Sequence, residues 1–224
     1  MTLSYFLDRI GEAVGDPLHT RYSEAMMREG LRLALEEYSR AAPQIKQLTI
    51  TVETAGREQV LSGADGMLYP LTVLFPLSAG SAPEVKFFTA YLREGQAMIC
   101  IEPPTPAPQV GDGMKIIYAA LHTIAGLASQ GDPSDGGEQS PQPAPVTTIP
   151  LADYGLLVQG AAGHAMSMRA DALVESYGKR TPQDDTFQAA RRRLDDFRRR
   201  LRSRKGPEMP LPGWAGGWSE DRES

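Results

Sequence analysis

The chain has 224 residues and a formal charge of −5, which gives room for one core of ordinary size or two small ones. Its single cysteine, Cys100, excludes an internal disulfide and a cysteine-based zinc cluster; in the apolar run MICI it reads as an inert buried thiol. No apolar run is long enough to cross a bilayer, and MTLSYFLDRIGEAV carries Asp8 and Glu12 inside its hydrophobic pattern. Neither a transmembrane span nor a signal peptide is expected, and no membrane partner; the reading is a soluble protein made in a cytoplasm. The charge is unevenly spread: residues 165–205 carry twelve Lys/Arg against six Asp/Glu, a local +6, while residues 1–164 sum to −8 and 206–224 to −3. That balance argues against a general nucleic-acid binder and leaves one helix as a candidate basic patch.

Leu3, Leu7, Ile10 and Val14 follow a 4-3-4 spacing that predicts a short amphipathic helix, ended by Gly15-Asp16-Pro17. A longer helix spans Thr20–Ala42, and the chain is organised around it. Met27, Leu31, Ala34 and Tyr38 form one apolar face that Leu35 widens, and Thr20 or Ser23 caps the start. Pro43 stops it by excluding Ala42 from the α region. The opposite face (Arg28, Arg32, Glu36, Glu37, Arg40) is charged and expected to be solvated.

From Ile45 the period changes to two. Leu48, Ile50 and Val52 alternate with threonines as in a half-buried strand. A weak strand at Gln59–Leu61, the run LTVLF, and the strands KFFTAYL (86–92) and QAMICIE (96–102) follow. Arg93-Glu94-Gly95 between the last two is short enough for a hairpin. PPTPAP (103–108) reads as a stiff polyproline connector, and KIIYAAL (115–121) as the last strand. Short strands with tight turns and no helical crossovers predict an antiparallel sheet or small barrel.

Residues 128–146 are rich in Gly, Ser, Pro and Gln and read as a flexible loop. The helical period returns from about Leu151 to Tyr177, with Leu157, Ala161, His164, Met168 and Ala172 on one face. Its small residues Gly160, Ala161, Ala162, Gly163 and Ala165 allow a neighbouring helix to approach closely despite the propensity cost of two glycines. A fourth helix begins with Thr181 as N-cap and Pro182 at the first position. It places Asp184 and Asp185 in its positive first turn and Arg202, Arg204 and Lys205 in its negative last one. Phe187, Ala190, Leu194, Phe197 and Leu201 form its seam.

The expected fold is therefore α+β: a four-helix bundle (1–44 and 147–205) with an antiparallel sheet or small barrel (45–127) inserted between its second and third helices. The loop 128–146 and an extended C-terminal arm (206–224) complete the chain.

Little of this asks for catalysis or a cofactor. His19, His122 and His164 have no metal-ligand neighbour at helical spacing, so neither a metal nor a cofactor is expected. His164 faces the bundle seam and reads as a satisfied core or interface histidine, His122 as a turn or packing residue. Two features do need a function. RRRLDDFRRRLRSRK carries nine basic residues against Asp195 and Asp196, a self-repulsion that an anionic partner would offset. The tail, PEMPLPGWAGGWSEDRES, carries Met209, Leu211, Trp214 and Trp218 on proline and glycine. Each tryptophan could bury about 150–250 Å² against a partner.

Three stretches resemble the head–tail connector (adaptor) proteins of tailed bacteriophages, the first ring below the portal. These are LRLALEEYSRAAPQ (31–44), VGDGMKIIYAALHTI (110–124) and TTIPLADYGLLVQGAAGHAMSMRA (147–170). The resemblance implies a non-enzymatic virion protein of the neck that assembles with itself as a ring, typically of twelve copies. It implies portal docking through the region from Thr181 onward, with Met209, Leu211, Trp214 and Trp218 as anchors. Arg191, Arg192, Arg193, Arg198, Arg199, Arg200, Arg202 and Arg204 would pair with portal acidic groups or line a channel for DNA read without sequence specificity. The next stopper or tail-terminator ring would meet the β insert. Nothing in the chain is written to receive the arm before docking. The alternatives are a tail-completion or stopper protein, a nucleic-acid-binding protein using helix 181–205, and a small enzyme acting through His122 or His164.

Overall fold

The computed structural model describes residues 2–77, 83–127, 146–177, 183–204 and 219–220, with backbone alone at 174–177, 183–184 and 219–220. The chain divides into two units: Met1–Ala42 with His122–Gly206, and Pro43–Leu121 with Pro207–Ser224. The fold is mixed α+β, four helices with antiparallel sheets, as the periodicities predict.

The first unit is helical. Helix α1 (Leu3–Ala13) buries Leu3, Phe6, Leu7 and Ile10. The loop after it is built on Asp16, which is 3% exposed. Its carboxylate accepts the Thr20 backbone N–H (3.0 Å) and hydroxyl (2.8 Å) and the N–H groups of Arg21 (2.6 Å) and Tyr22 (2.8 Å). Burial alone would raise the Asp16 pKa, but these donors favour the ionised form and hold it well below the usual carboxylate range. Thr20 is thus spent on Asp16, and Ser23 is the cap of helix α2 (Glu24–Ala41), accepting from the Met26 N–H. The predicted face of α2 is buried at Met27, Leu31, Ala34, Leu35 and Tyr38. Ala42, ahead of Pro43, leaves the α region at φ −138°.

A 3₁₀ turn (Leu151–Asp153) leads into α3 (Tyr154–Tyr177), and α4 (Gln183–Ser203) returns beside it. The most extensive packing is made by α3, along both α2 and α4 and against α1, whereas α2 touches α1 and α4 only slightly, so α3 and not α2 is the hub. The sequence shows this as small residues on every side instead of one stripe. A Cβ on Gly160 would lie 2.8 Å from the Phe197 ring and one on Gly163 2.9 Å from Leu194, while one on Gly30 of α2 would lie 2.6 Å from the Ala161 carbonyl oxygen. The glycines are where neighbouring helices come closest. Ala190, Phe197 and Leu201 are buried on the seam of α4 and Leu194 half-buried, but Phe187 is 44% exposed, against expectation. The antiparallel register set by Gly160–Phe197 and Gly163–Leu194 brings Phe187 to the level of Ala170–Leu173. There α3 presents buried Ala170, exposed Asp171 and half-buried Ala172 and Leu173, with little apolar bulk to cover a ring.

The second unit holds two sheets. Strands β1 (Gln44–Thr51), β3 (Met67–Phe75), β4 (Glu84–Lys86) and β7 (Gly113–Ala120) form one, in the order β1-β7-β3-β4. The other contains β2 (Glu58–Val60), β5 (Phe88–Arg93), β6 (Gln96–Ile101) and β8 (Ser219–Glu220), in the order β2-β6-β5-β8. Val73, Met114 and Ile116 of the first sheet and Ala90, Ile99 and Ile101 of the second share one core. The register Gln44↔Ala120 to Thr51↔Gly113 pairs the first strand of the insert with its last, so the chain leaves and re-enters the helical unit at neighbouring points.

Several details depart from the sequence reading. KFFTAYL is two strands in two sheets, broken at Phe87, which is 57% exposed. Pro70 lies inside β3, next to register shifts that absorb its missing donor, and β4 does not extend that far. The PPTPAP connector folds instead of standing as a rod: the Thr105 N–H bonds to Glu102 O and Thr105 is buried. Cys100 is half-buried, not buried, because alternation along β6 turns Ile99 and Ile101 inward and Cys100 to the other face. The hairpin turn at Glu94-Gly95 is as expected, with φ 52° and 77°.

Candidate functional site

Two constellations fasten the helical unit. The first gathers one segment from each of the three stretches that resemble the adaptor family. The Tyr38 hydroxyl donates to Asp153 Oδ2 at 2.7 Å. Next to it, Ser39 Oγ donates to Leu35 O and accepts the His122 backbone N–H at 3.0 Å. The His122 ring meets the edge of Tyr38, with centroids 5.3 Å apart. Its Nε2 lies 2.9 Å from Ala42 O and its Nδ1 3.1 Å from Thr148 Oγ1. A carbonyl only accepts, so Nε2 carries a hydrogen.

Thr148 Oγ1 also accepts the Thr123 N–H, and Thr123 Oγ1 donates to Val146 O, which ties the segments on either side of residues 128–145 together. Asp153 is 4% exposed, and its other oxygen lies 2.7 Å from the Arg204 guanidinium. Burial raises the Tyr38 pKa well above that of a free phenol, and the bond to Asp153 raises it further by favouring the protonated hydroxyl. The buried carboxylate has one oxygen hydrogen-bonded by Tyr38, while the other has no aligned hydrogen bond among the described residues and is balanced by the charge of Arg204 alone. Of these residues the bare sequence singles out Tyr38 as part of the α2 face, Arg204 in the basic helix and His122, which the structure makes a packing residue. Ser39, Thr148 and Asp153 are missed except as letters of the family resemblance.

The second constellation joins α2, α3 and α4. Arg198 holds Glu37 in a fork, Nε to Oε2 at 2.9 Å and Nη2 to Oε1 at 2.8 Å, and His164 Nε2 lies 3.1 Å from Glu37 Oε1. Glu37 is therefore not on a solvated face. The Arg198 fork first, and His164 as a lesser contributor, keep its carboxyl below the usual range against the opposing effect of burial. Burial lowers the His164 pKa, outweighing the raising effect of Glu37, so the ring is neutral near pH 7. This is the satisfied interface histidine that the seam predicts.

The remaining arginines of α4 are partly spent in the same way. Arg193 donates to Ala13 O at 2.8 Å, and Arg199 and Arg200 both reach Asp196. With Arg198 on Glu37 and Arg204 on Asp153, five of the eight candidate arginines have acceptors within the helical unit. Among the described residues Arg191, Arg192 and Arg202 have no hydrogen-bond or ion-pair partner, and all three are exposed. The self-repulsion read from RRRLDDFRRRLRSRK is thus relieved in large part from within, by Asp196 of α4 itself and by groups of α1, α2 and the 3₁₀ turn that no local pattern reveals.

Thr181, Pro182, Met209, Leu211, Trp214 and Trp218 lie outside the described residues. Ser219–Glu220 does have a place: it runs parallel to β5, with Ser219 opposite Tyr91 and Glu220 opposite Leu92. The chain does contain a receiver for its own C-terminal segment, which side-chain patterns could not show because a sheet edge accepts backbone. A recess of about 200 Å³ lined by Gln159, Arg192, Arg193 and Asp196 is smaller than a typical small-molecule pocket. Among the described residues no three His, Cys, Asp or Glu side chains converge as metal ligands, and no helix is long and apolar enough to cross a membrane.

No protein-family model and no curated protein sequence matches the chain. Among solved structures, one described as the neck of an empty GTA particle computed with C6 symmetry is similar over 70% of this chain and 74% of that one, at 11% sequence identity and a TM-score of 0.29. A TM-score of that size establishes neither a common fold nor a common role.

Proposed function

We infer that the chain is a structural protein of the neck of a tailed-phage-like particle, an adaptor between portal and tail and not an enzyme. One observation supports this above the others. Tyr38 and Ser39, His122 and Thr123, and Thr148 and Asp153 come from three stretches that each resemble the adaptor family only weakly, and they meet in one buried hydrogen-bonded knot. Three chance resemblances would have no reason to converge. Helices from both ends of the chain in one unit, with a β insert between them, agree with the architecture that the resemblance implies.

In this reading copies assemble as a ring, typically of twelve, that docks on the portal through α4 and the arm, with Met209, Leu211, Trp214 and Trp218 as anchors. Weak single arms would hold strongly through avidity. Of the basic helix, Arg191, Arg192 and Arg202 are the residues left to meet portal carboxylates or DNA in the channel, because the others already have acceptors. The β unit would meet the next ring, a stopper or tail terminator. A stopper role for this chain itself is the nearest alternative, separated by position in the particle.

An independent nucleic-acid binder is disfavoured by the same count. Among the described residues of the basic helix three arginines are without an acceptor, and contacts through them alone would neutralise about three phosphates, a salt slope of roughly −3 on a logarithmic plot. The test is co-purification with the cognate portal protein, comparing the full chain with one truncated after Lys205. Binding and ring formation by the full chain alone support the adaptor reading with the arm as anchor, and equal binding by both moves the anchor to α4. Failure of both, with DNA retained at low salt, would refute the reading.

A further inference from the structure

We propose that the face of the first sheet turned away from the core is a docking surface for a partner protein whose patch sets apolar side chains around one carboxylate. Met114, Ile116 and Tyr118 of β7 point into the core, so the residues that alternate with them lie on the opposite face. The register sets Thr49, Lys115, Leu74 and Val85 side by side in one row across all four strands. The next row holds Gln47, Ile117 and Thr72, and beyond it Ile45 stands opposite Ala119. Lys115 is the one charged group in these rows. It is half-buried, and among the described residues it has no hydrogen-bond or ion-pair partner. Around it Val85 is 64% exposed and Ile45 51%.

A face that met only water would be expected to mix charges of both signs; this one places a single ammonium among aliphatic and neutral polar groups. While the face is wet, the lysine stem covers apolar surface and its head stays solvated. A partner that shuts out the water has to bring an acceptor for that head, because a buried charge without one is strongly unfavourable. One ammonium is too few for a phosphate backbone, which leaves a protein carboxylate. The four strands span about 14 Å and the eight residues of β1 about 25 Å, roughly 350 Å² in projection. That is less than half of the ~800 Å² a side that a stable pair buries, so the contact suits repetition around an assembly, where weak single contacts add. In the neck reading, on which this assignment of the partner rests, the patch belongs to the protein of the next ring.

Binding of the full chain to the cognate next-ring protein, measured by biolayer interferometry over a range of salt, tests it. Lys115→Met keeps the stem and removes the charge, and Val85→Asp puts a charge into the apolar part of the face. Thermal unfolding first establishes that both variants are folded. Each is expected to weaken binding by about tenfold or more, and Lys115→Met should also abolish the salt dependence of the wild type. Lys115→Glu should be weaker still and be restored by exchanging one carboxylate of the partner for lysine. Unchanged affinity in Lys115→Met and Val85→Asp overturns the surface, and so does a loss of self-association in place of next-ring binding, which would give the face to a second copy. Portal co-purification is read separately. A chain that binds the portal but not the next-ring protein overturns the surface and leaves the neck reading standing, and one that binds neither removes both.

Discussion

Replacing Gly160 by alanine sets two effects of known size against each other. Alanine is favoured over glycine inside a helix by about 1 kcal/mol, so on propensity alone Gly160→Ala should stabilise α3. The new methyl, however, would sit 2.8 Å from Phe197 Cζ and 2.9 Å from Cδ2 and Cε1, so the ring must retreat by more than about 0.5 Å to restore ordinary contact. Phe197 is 0% exposed and belongs to the same core as Leu157, Ala161 and Leu201, so it has no free direction. Overpacking of this kind costs about 1–3 kcal/mol, and the net expectation is a loss of about 1 kcal/mol.

Gly155, on the same helix, faces open space: a methyl there would meet nothing within 4 Å, and Gly155→Ala should gain about 0.5 kcal/mol. The two variants are compared by urea unfolding followed by far-UV circular dichroism, which reports the helical unit. Opposite shifts of the midpoint at unchanged slope are expected. In a Phe197→Leu background the sign at Gly160 should reverse, because the ring is gone. A midpoint for Gly160→Ala as high as that for Gly155→Ala would refute the close packing of α3 on α4.

Gly30→Ala should be more severe than Gly160→Ala, because the obstacle is the Ala161 carbonyl oxygen at 2.6 Å and backbone cannot step aside; the same unfolding assay checks it. Tyr38→Phe keeps the ring but strips Asp153 Oδ2 of its donor. A loss of about 1–3 kcal/mol is expected, and a loss under about 0.5 kcal/mol would show that the knot does not hold. Stability should fall on acidification in two steps. The His164 pKa is lowered by burial from 6.5, so the unfolded chain binds the proton more readily. Its contribution is complete above that value and is lost as pH falls below it. His164→Gln should flatten this segment of the pH–stability curve. The Asp16 pKa lies below its unfolded value of 3.8, so its contribution is lost only under stronger acid, and Asp16→Asn should remove that second step while lowering stability at neutral pH.

The sequence by itself determined the elements. The spacing of Met27, Leu31, Ala34 and Tyr38, the alternation through Leu48, Ile50 and Val52, and the Glu94-Gly95 turn are local signals, because a helix face or a strand face is fixed by residues a few positions apart. The glycines of α3 were legible as places of close approach for the same reason. What only the tertiary structure decided is who meets whom. Glu37 looked solvated and Arg198 looked free, since their partner lies 161 positions away. Asp153 carried no signal of its own until Tyr38 and Arg204 were beside it. KFFTAYL could not show that it serves two sheets, nor Ser219–Glu220 that β5 would receive it, because edge pairing is made by backbone, which every sequence shares.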